Sequence, residues 1–260
     1  MSQKRTNASD IISMLNIMQY FADALGGKMS ITVNGLAKLT LLDFPGKTAA
    51  TVFLAGCNMR CPFCHNSPLV VDMAGAEQID ERELRAFFAK RQGLLDGIAV
   101  TGGEPTLRRD LEELLKLIKE YGYETKLDTN GTNPEMLDKL IGDGLVDYVA
   151  MDIKNSPERY AETVGVRDFD MTPIFDSVRI LREGRVDYEF RTTVVSGLHD
   201  EASMRGIGEW LSGETSYFLQ NFVDSGALLV PETQGVDRDT MHAYLEIIKE
   251  YIPTAQLRGV

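Results

Sequence analysis

The sequence predicts an α/β fold, a partial (β/α)6 TIM-like barrel, from three observations. Short apolar runs alternate strictly with amphipathic, helix-length segments about six times. Such alternation implies a parallel sheet with right-handed crossovers. Glycine-containing polar motifs stand at the ends of successive strands, where parallel α/β folds collect their active residues. Six units are two short of a closed eight-stranded barrel and leave a lateral gap. A doubly wound sheet shares the alternation, and only the motifs favour the partial barrel.

Residues 1–28 form an N-terminal extension. Ser9 or Asp10 is placed to cap a helix reaching Leu25, with Ile11, Leu15, Met18, Phe21 and Ala22 on one face and Gly26-Gly27 behind it. The main domain is expected over 29–260. Residues 31–47 read as a strand, a turn at Asn34-Gly35 and a second strand. The small, apolar run 49–55 suits a strand buried on both faces. Asp80 with Glu83 has the form of a capping box ahead of Leu84, Phe87 and Phe88, and Asp110 with Glu113 repeats it ahead of Leu111, Leu114, Leu115 and Ile118. Further strands are expected over 98–100, 125–127, 146–153, 188–195 and 217–219. Helices are expected to follow Asn133-Pro134, Thr172-Pro173 and Asp200, with a last one around Met241, Tyr244, Leu245 and Ile248, beyond a long loop at 223–237.

The 260 residues are 43% hydrophobic, enough for a sizeable core, and carry a formal net charge of −12. No Lys/Arg stripe offers a footprint for nucleic acid, and the charge opposes anionic membrane. No apolar run is long enough to span a bilayer, and the first residues lack a signal-peptide layout, so a cytoplasmic protein is expected.

All three cysteines lie in one stretch, Cys57, Cys61 and Cys64, spaced C-x3-C-x2-C. Three thiolates on one loop can hold three corners of a cubane [4Fe-4S] cluster and leave one iron open. Two other readings stand beside this one: zinc with His65 as fourth ligand, and a redox pair of Cys61 and Cys64. Phe63 lies between two of the cysteines, next to any metal group they bind. The next strand ends in Gly102-Gly103-Glu104-Pro105, whose glycines let backbone approach a ligand. Asp128-Thr129-Asn130-Gly131 ends the third strand, though a plain turn also explains it. Asp152 and Lys154 sit at the mouth of the fourth, as ligand contacts or a simple ion pair. Arg191, inside an apolar strand, needs an anion: a ligand carboxylate, or Asp152 or Glu189.

The cysteine motif resembles that of the radical S-adenosylmethionine (SAM) superfamily. Together with Cys64-His65-Asn66, Gly102–Pro105, Asp128–Gly131 and Asp152–Lys154 it is similar to the glycyl-radical-enzyme activating enzymes. The resemblance implies that the open iron takes the methionine end of SAM, and that the Gly102-Gly103-Glu104 segment binds its amino group. It also implies that Asp128, Thr129 and Asp152 hold a monovalent cation beside the SAM carboxylate, and that Asn66, Lys154 and Arg191 contact SAM. Within that group, residues 35–47 and 217–222 look most like the longer activating proteins of anaerobic ribonucleoside-triphosphate reductase. The implied partners are that glycyl radical enzyme and a flavodoxin- or ferredoxin-type electron donor. The pattern departs at the last strand, where Gln220 and Asn221 stand in place of an expected His. Three cysteines also leave none for an auxiliary cluster. Rival expectations are another glycyl radical enzyme of the pyruvate formate-lyase type, a small-molecule substrate, or a metal-stabilised binding protein without catalysis.

Overall fold

The computed structural model describes residues 31–72, 75–224, 226 and 228–259. The expected N-terminal helix lies outside the described residues. Ten strands are described: β1 Thr32–Val33, β2 Gly35–Thr40, β3 Ala49–Leu54, β4 Ile79–Asp80, β5 Gly97–Gly102, β6 Glu124–Thr129, β7 Tyr148–Asp152, β8 Asp187–Val194, β9 Tyr217–Asn221 and β10 Gln256–Arg258. The described helices are α1 Ser67–Val71, α2 Glu81–Arg91, α3 Leu111–Glu120, α4 Pro134–Gly142, α5 Tyr160–Val164, α6 Thr172–Arg182, α7 Glu201–Trp210 and α8 Arg238–Lys249.

Eight strands form one sheet in the order β10-β9-β8-β7-β6-β5-β3-β2, parallel throughout except for β2, which runs antiparallel to β3. From β3 to β9 the spatial order follows the chain order. A doubly wound sheet would reverse direction somewhere. Without a reversal, right-handed crossovers put every helix on one face, and the other face curls inward as a partial barrel. The sheet ends at β2 on one side and β10 on the other, so the barrel stays open.

The six central strands carry buried aliphatic and small residues, among them Val52, Ile98, Val100, Leu127, Val149, Phe190 and Leu219. Helices cover them with Leu84, Leu114, Ile118, Leu140, Ile174, Leu181, Met204, Ile207 and Ile248, all fully or nearly fully buried. Three helix starts are capped as their sequences predict: Asp80 accepts from the Glu83 N–H, Asn133 from Met136 and Asp200 from Ser203.

The second predicted capping box is not made. Asp110 gives both carboxylate oxygens to Arg108, at 2.9 and 2.7 Å, and leaves the helix N–H groups alone. Sequence reading also missed α1, β4, α5 and β10, segments too short for a periodicity to register.

Candidate active site

The C-terminal ends of β5 to β9 and the cysteine loop after β3 surround a cavity of about 230 Å³. Its lining includes Cys57, Cys61, Cys64, Phe63, Asn66, Gly102, Gly103, Asp128, Thr129, Asp152, Lys154 and Arg191. Twelve of the thirteen residues that the sequence nominates therefore meet around one space.

The exception is Glu104, which stands behind the wall. It is 1% exposed. Its Oε1 accepts from the Thr106 N–H at 3.1 Å, the Thr106 hydroxyl at 2.5 Å and the Thr129 hydroxyl at 2.8 Å, while Oε2 accepts from the Asn130 N–H at 2.6 Å. The carboxylate thus knots the end of β5 to the end of β6. Burial raises its pKa, and these donors offset the rise only in part.

The cysteine loop is stitched to β5 through its glycines. Gly103 N–H donates to the Leu54 carbonyl at 2.8 Å and Glu104 N–H to the Gly56 carbonyl at 2.7 Å. A Cβ on Gly103 would lie 2.0 Å from the Gly56 oxygen, and one on Gly102 (φ +123°) would lie 2.3 Å from the Leu54 oxygen. Only glycine fits this approach. Asn66 completes the stitch by donating from Nδ2 to the Gly102 carbonyl at 2.8 Å.

Cys57 Sγ accepts from the Met59 N–H at 3.4 Å and from Asn130 Nδ2 at 3.8 Å. Burial pushes the Cys57 thiol pKa up, and it pushes Cys61 to about 11 against the opposing pull of Lys154. Thiolates so placed are stabilised by binding a metal group that displaces their protons. Among the described residues, no three His, Cys, Asp or Glu side chains close on one point as ligands of a single ion. All three thiols line the same cavity, and three protein ligands on one loop fit a [4Fe-4S] cluster with one open iron. His65 is packed against the segment after β9. Its ring stacks on Phe222, with centroids 5.1 Å apart at 6°, and its Nε2 lies 2.9 Å from the Val223 carbonyl oxygen.

The opposite wall is a chain of charges. Lys126 pairs with Asp128; Arg191 Nη2 lies 3.5 Å from Asp128 and 3.0 Å from Asp152; Lys154 Nζ lies 2.9 Å from Asp152. Burial works against Asp128, Asp152, Lys154 and Arg191, and the attraction between opposite charges wins. Asp128 is held below the usual carboxylate range by Arg191 and Lys126, and Asp152 is held at about 2 by Lys154 and Arg191. Lys154 and Arg191 are held above their ordinary values by the same carboxylates. Both predicted partners of Arg191 are present, Asp152 close by and Glu189 at 4.0 Å.

Sequence reading missed Lys126, Thr193 and, as a site residue, Asn130. Parity reveals the first: Lys126 lies two residues before Asp128 on β6 and so shares its face. Thr193 and Gln220, both lining the cavity, are register partners on β8 and β9.

The Radical SAM superfamily model matches residues 51–204, a span running from β3 into α7 and containing the cysteine loop, the glycine turn and the charged wall. The chain therefore belongs to the radical SAM superfamily. A candidate glycyl-radical-enzyme activating enzyme of Methanocaldococcus jannaschii is 34% identical over 200 residues, covering 75% of this chain and 81% of the relative. The pyruvate formate-lyase-activating enzyme of Clostridium pasteurianum is 31% identical over 149 residues, covering 53% of this chain and 60% of its own. The protein is an enzyme of the glycyl-radical activase type. The crystal structure of SuiB from Streptococcus suis shares the fold, with a TM-score of 0.61 at 14% identity over 99% of this chain and 57% of that one. Among the described residues no helix is long and apolar enough to cross a membrane.

Proposed function

We propose that the chain generates a glycyl radical on anaerobic ribonucleoside-triphosphate reductase, using SAM and one [4Fe-4S] cluster. The observation that carries the site is the convergence of three thiols, the Gly102–Gly103 turn and the Lys154–Arg191 charges on one cavity. Cys57, Cys61 and Cys64 would hold the cluster. The Gly102 carbonyl, which already accepts from Asn66, is an acceptor for the SAM ammonium group. Lys154 and Arg191 supply positive charge for its carboxylate. When bound, the reduced cluster would supply one electron to SAM, which would supply the carbon-centred radical that takes a hydrogen atom.

The protein's own part is positioning and enclosure. Phe63 is 4% exposed and walls the cysteine loop against water. Glu104 fixes the two strand ends, and the open edge between β2 and β10 leaves room for a loop of a large partner. The choice of reductase rests on the sequence character of residues 35–47 and 217–222, and a flavodoxin- or ferredoxin-type protein is the proposed electron donor. The alignment with a pyruvate formate-lyase-activating enzyme favours, as a second reading, a partner of that type.

The test mixes anaerobically reconstituted protein with SAM, reductant and each purified glycyl radical enzyme, followed by electron paramagnetic resonance. A glycyl doublet with the reductase alone supports the first reading, and one with pyruvate formate-lyase alone supports the second. Protein that binds cluster and SAM but releases no 5'-deoxyadenosine would overturn both.

A further inference from the structure

Asp128 and Asp152 end neighbouring strands and face the same cavity. Two carboxylates in such a place need positive charge beside them. The family resemblance gives this place, with Thr129, to a dissociable monovalent cation. The donors present do not fit one. Asp128 is bound by Lys126 and neighboured by Arg191 at 3.5 Å. Asp152 takes Lys154 at 2.9 Å and Arg191 at 3.0 Å through Nη2 and 3.1 Å through Nε. The Thr129 hydroxyl donates to Glu104 at 2.8 Å and accepts from the Gly131 N–H at 3.1 Å. Three side-chain cations thus meet two carboxylates. Glu189 lies 4.0 Å from Arg191 but is engaged more closely by a fourth cation, Arg258, at 2.7 and 2.8 Å. An added alkali ion would enter a cluster that already carries an excess of positive charge.

Lys126 is the member of this set with no other evident task. Its side chain is 1% exposed, inside the barrel, and its ion-pair partner is Asp128. A buried ammonium is costly unless its charge serves a paired anion. We infer that Lys126 is a built-in counter-ion, its ammonium taking at Asp128 the role of a dissociable alkali cation, so that SAM is held without Na+ or K+. The inference rests on the cavity being the SAM site.

The test uses the full-length, cluster-reconstituted protein. SAM binding is measured by equilibrium dialysis in NaCl, KCl and tetramethylammonium chloride at matched ionic strength, with thermal unfolding of the same samples as a second readout. Wild type is expected to bind SAM equally in all three salts, within about twofold. Lys126→Ala is expected to bind about tenfold or more weakly in tetramethylammonium, and to recover saturably with Na+ or K+, its melting temperature rising with the same ion. Lys126→Arg should remain indifferent to the salt.

A wild-type affinity that depends on Na+ or K+ would overturn the inference, as would a folded Lys126→Ala protein with no ion-specific recovery. A purely structural lysine would give no such recovery. If Lys126→Ala does not fold, Lys126→Met keeps the apolar stem, and the wild-type series alone can still refute the idea. SAM binding in none of the salts would bring down the site assignment itself, which separates that failure from this one.

Discussion

Asn66 and Gly102 are joined by a 2.8 Å hydrogen bond from the Asn66 side-chain amide to the Gly102 carbonyl, and this bond couples the cysteine loop to the glycine turn proposed to face SAM. Asn66→Ala is expected to lower stability by about 0.5–1.5 kcal/mol, the worth of one hydrogen bond. It should weaken SAM binding more than it reduces iron content. Denaturant unfolding, iron analysis and SAM dialysis on one preparation check this.

Gly103→Ala is expected to cost about 1–3 kcal/mol or more, because its Cβ meets backbone and not a movable side chain. The cysteine loop would be forced off β5, and iron incorporation should fall with stability. Gly142→Ala is the control: nothing lies within 4 Å of its Cβ, and it sits at the end of α4. It should be neutral or stabilising by about 0.4–1 kcal/mol.

The buried carboxyls give opposite pH signatures. Glu104 has a raised pKa, so the folded state keeps its proton longer than the unfolded chain does, and its contribution declines as pH climbs from 4.5 towards the raised value. Asp152 has a pKa lowered from 3.8 to about 2, so its stabilisation is complete above 3.8 and is lost as pH falls through that window. Asp152→Asn should flatten the acid limb of the stability profile and lower stability near neutrality. Glu104→Gln should cost about 1–3 kcal/mol by setting an amide N–H2 against the Asn130 N–H, with the amide oxygen left to the other three donors, and should flatten the limb above 4.5. Urea titrations across pH measure both.

His65 packs on the segment after β9, and it is expected to play no part in holding metal. His65→Phe preserves the stack on Phe222 and should retain the cluster's iron and sulfide. Cys64→Ser should lose them. Loss of metal in His65→Phe, or one zinc and no sulfide in the wild type, would return the site to the zinc reading.

Much of this site was legible because parallel strands place their chemistry at predictable ends. The cysteine loop, Gly102, Asp128 and Asp152 announce themselves as polar or glycine residues closing an apolar run, and Arg191 as a charge inside one. The role of Glu104 was hidden. A carboxylate beside a ligand and one that braces two loops share the same sequence, and only the partners Thr106, Thr129 and Asn130 separate them. Asp110 shows a similar limit: a capping pattern is local, but Arg108 competed for the same oxygens and won through a charge-assisted pair. The loop after β9 could not be placed from sequence either. Its contact with the cysteine loop, the Val230 N–H on the Pro62 carbonyl at 3.1 Å, joins segments from opposite ends of the domain.

That last bond bears on the order of synthesis. The ribosome delivers the thiols well over a hundred residues before Arg191, Gln220 and Val230. A nascent chain therefore displays bare cysteines with no far wall to shelter them. A chain halted before Val230 would carry its thiols without that wall, open to oxidants.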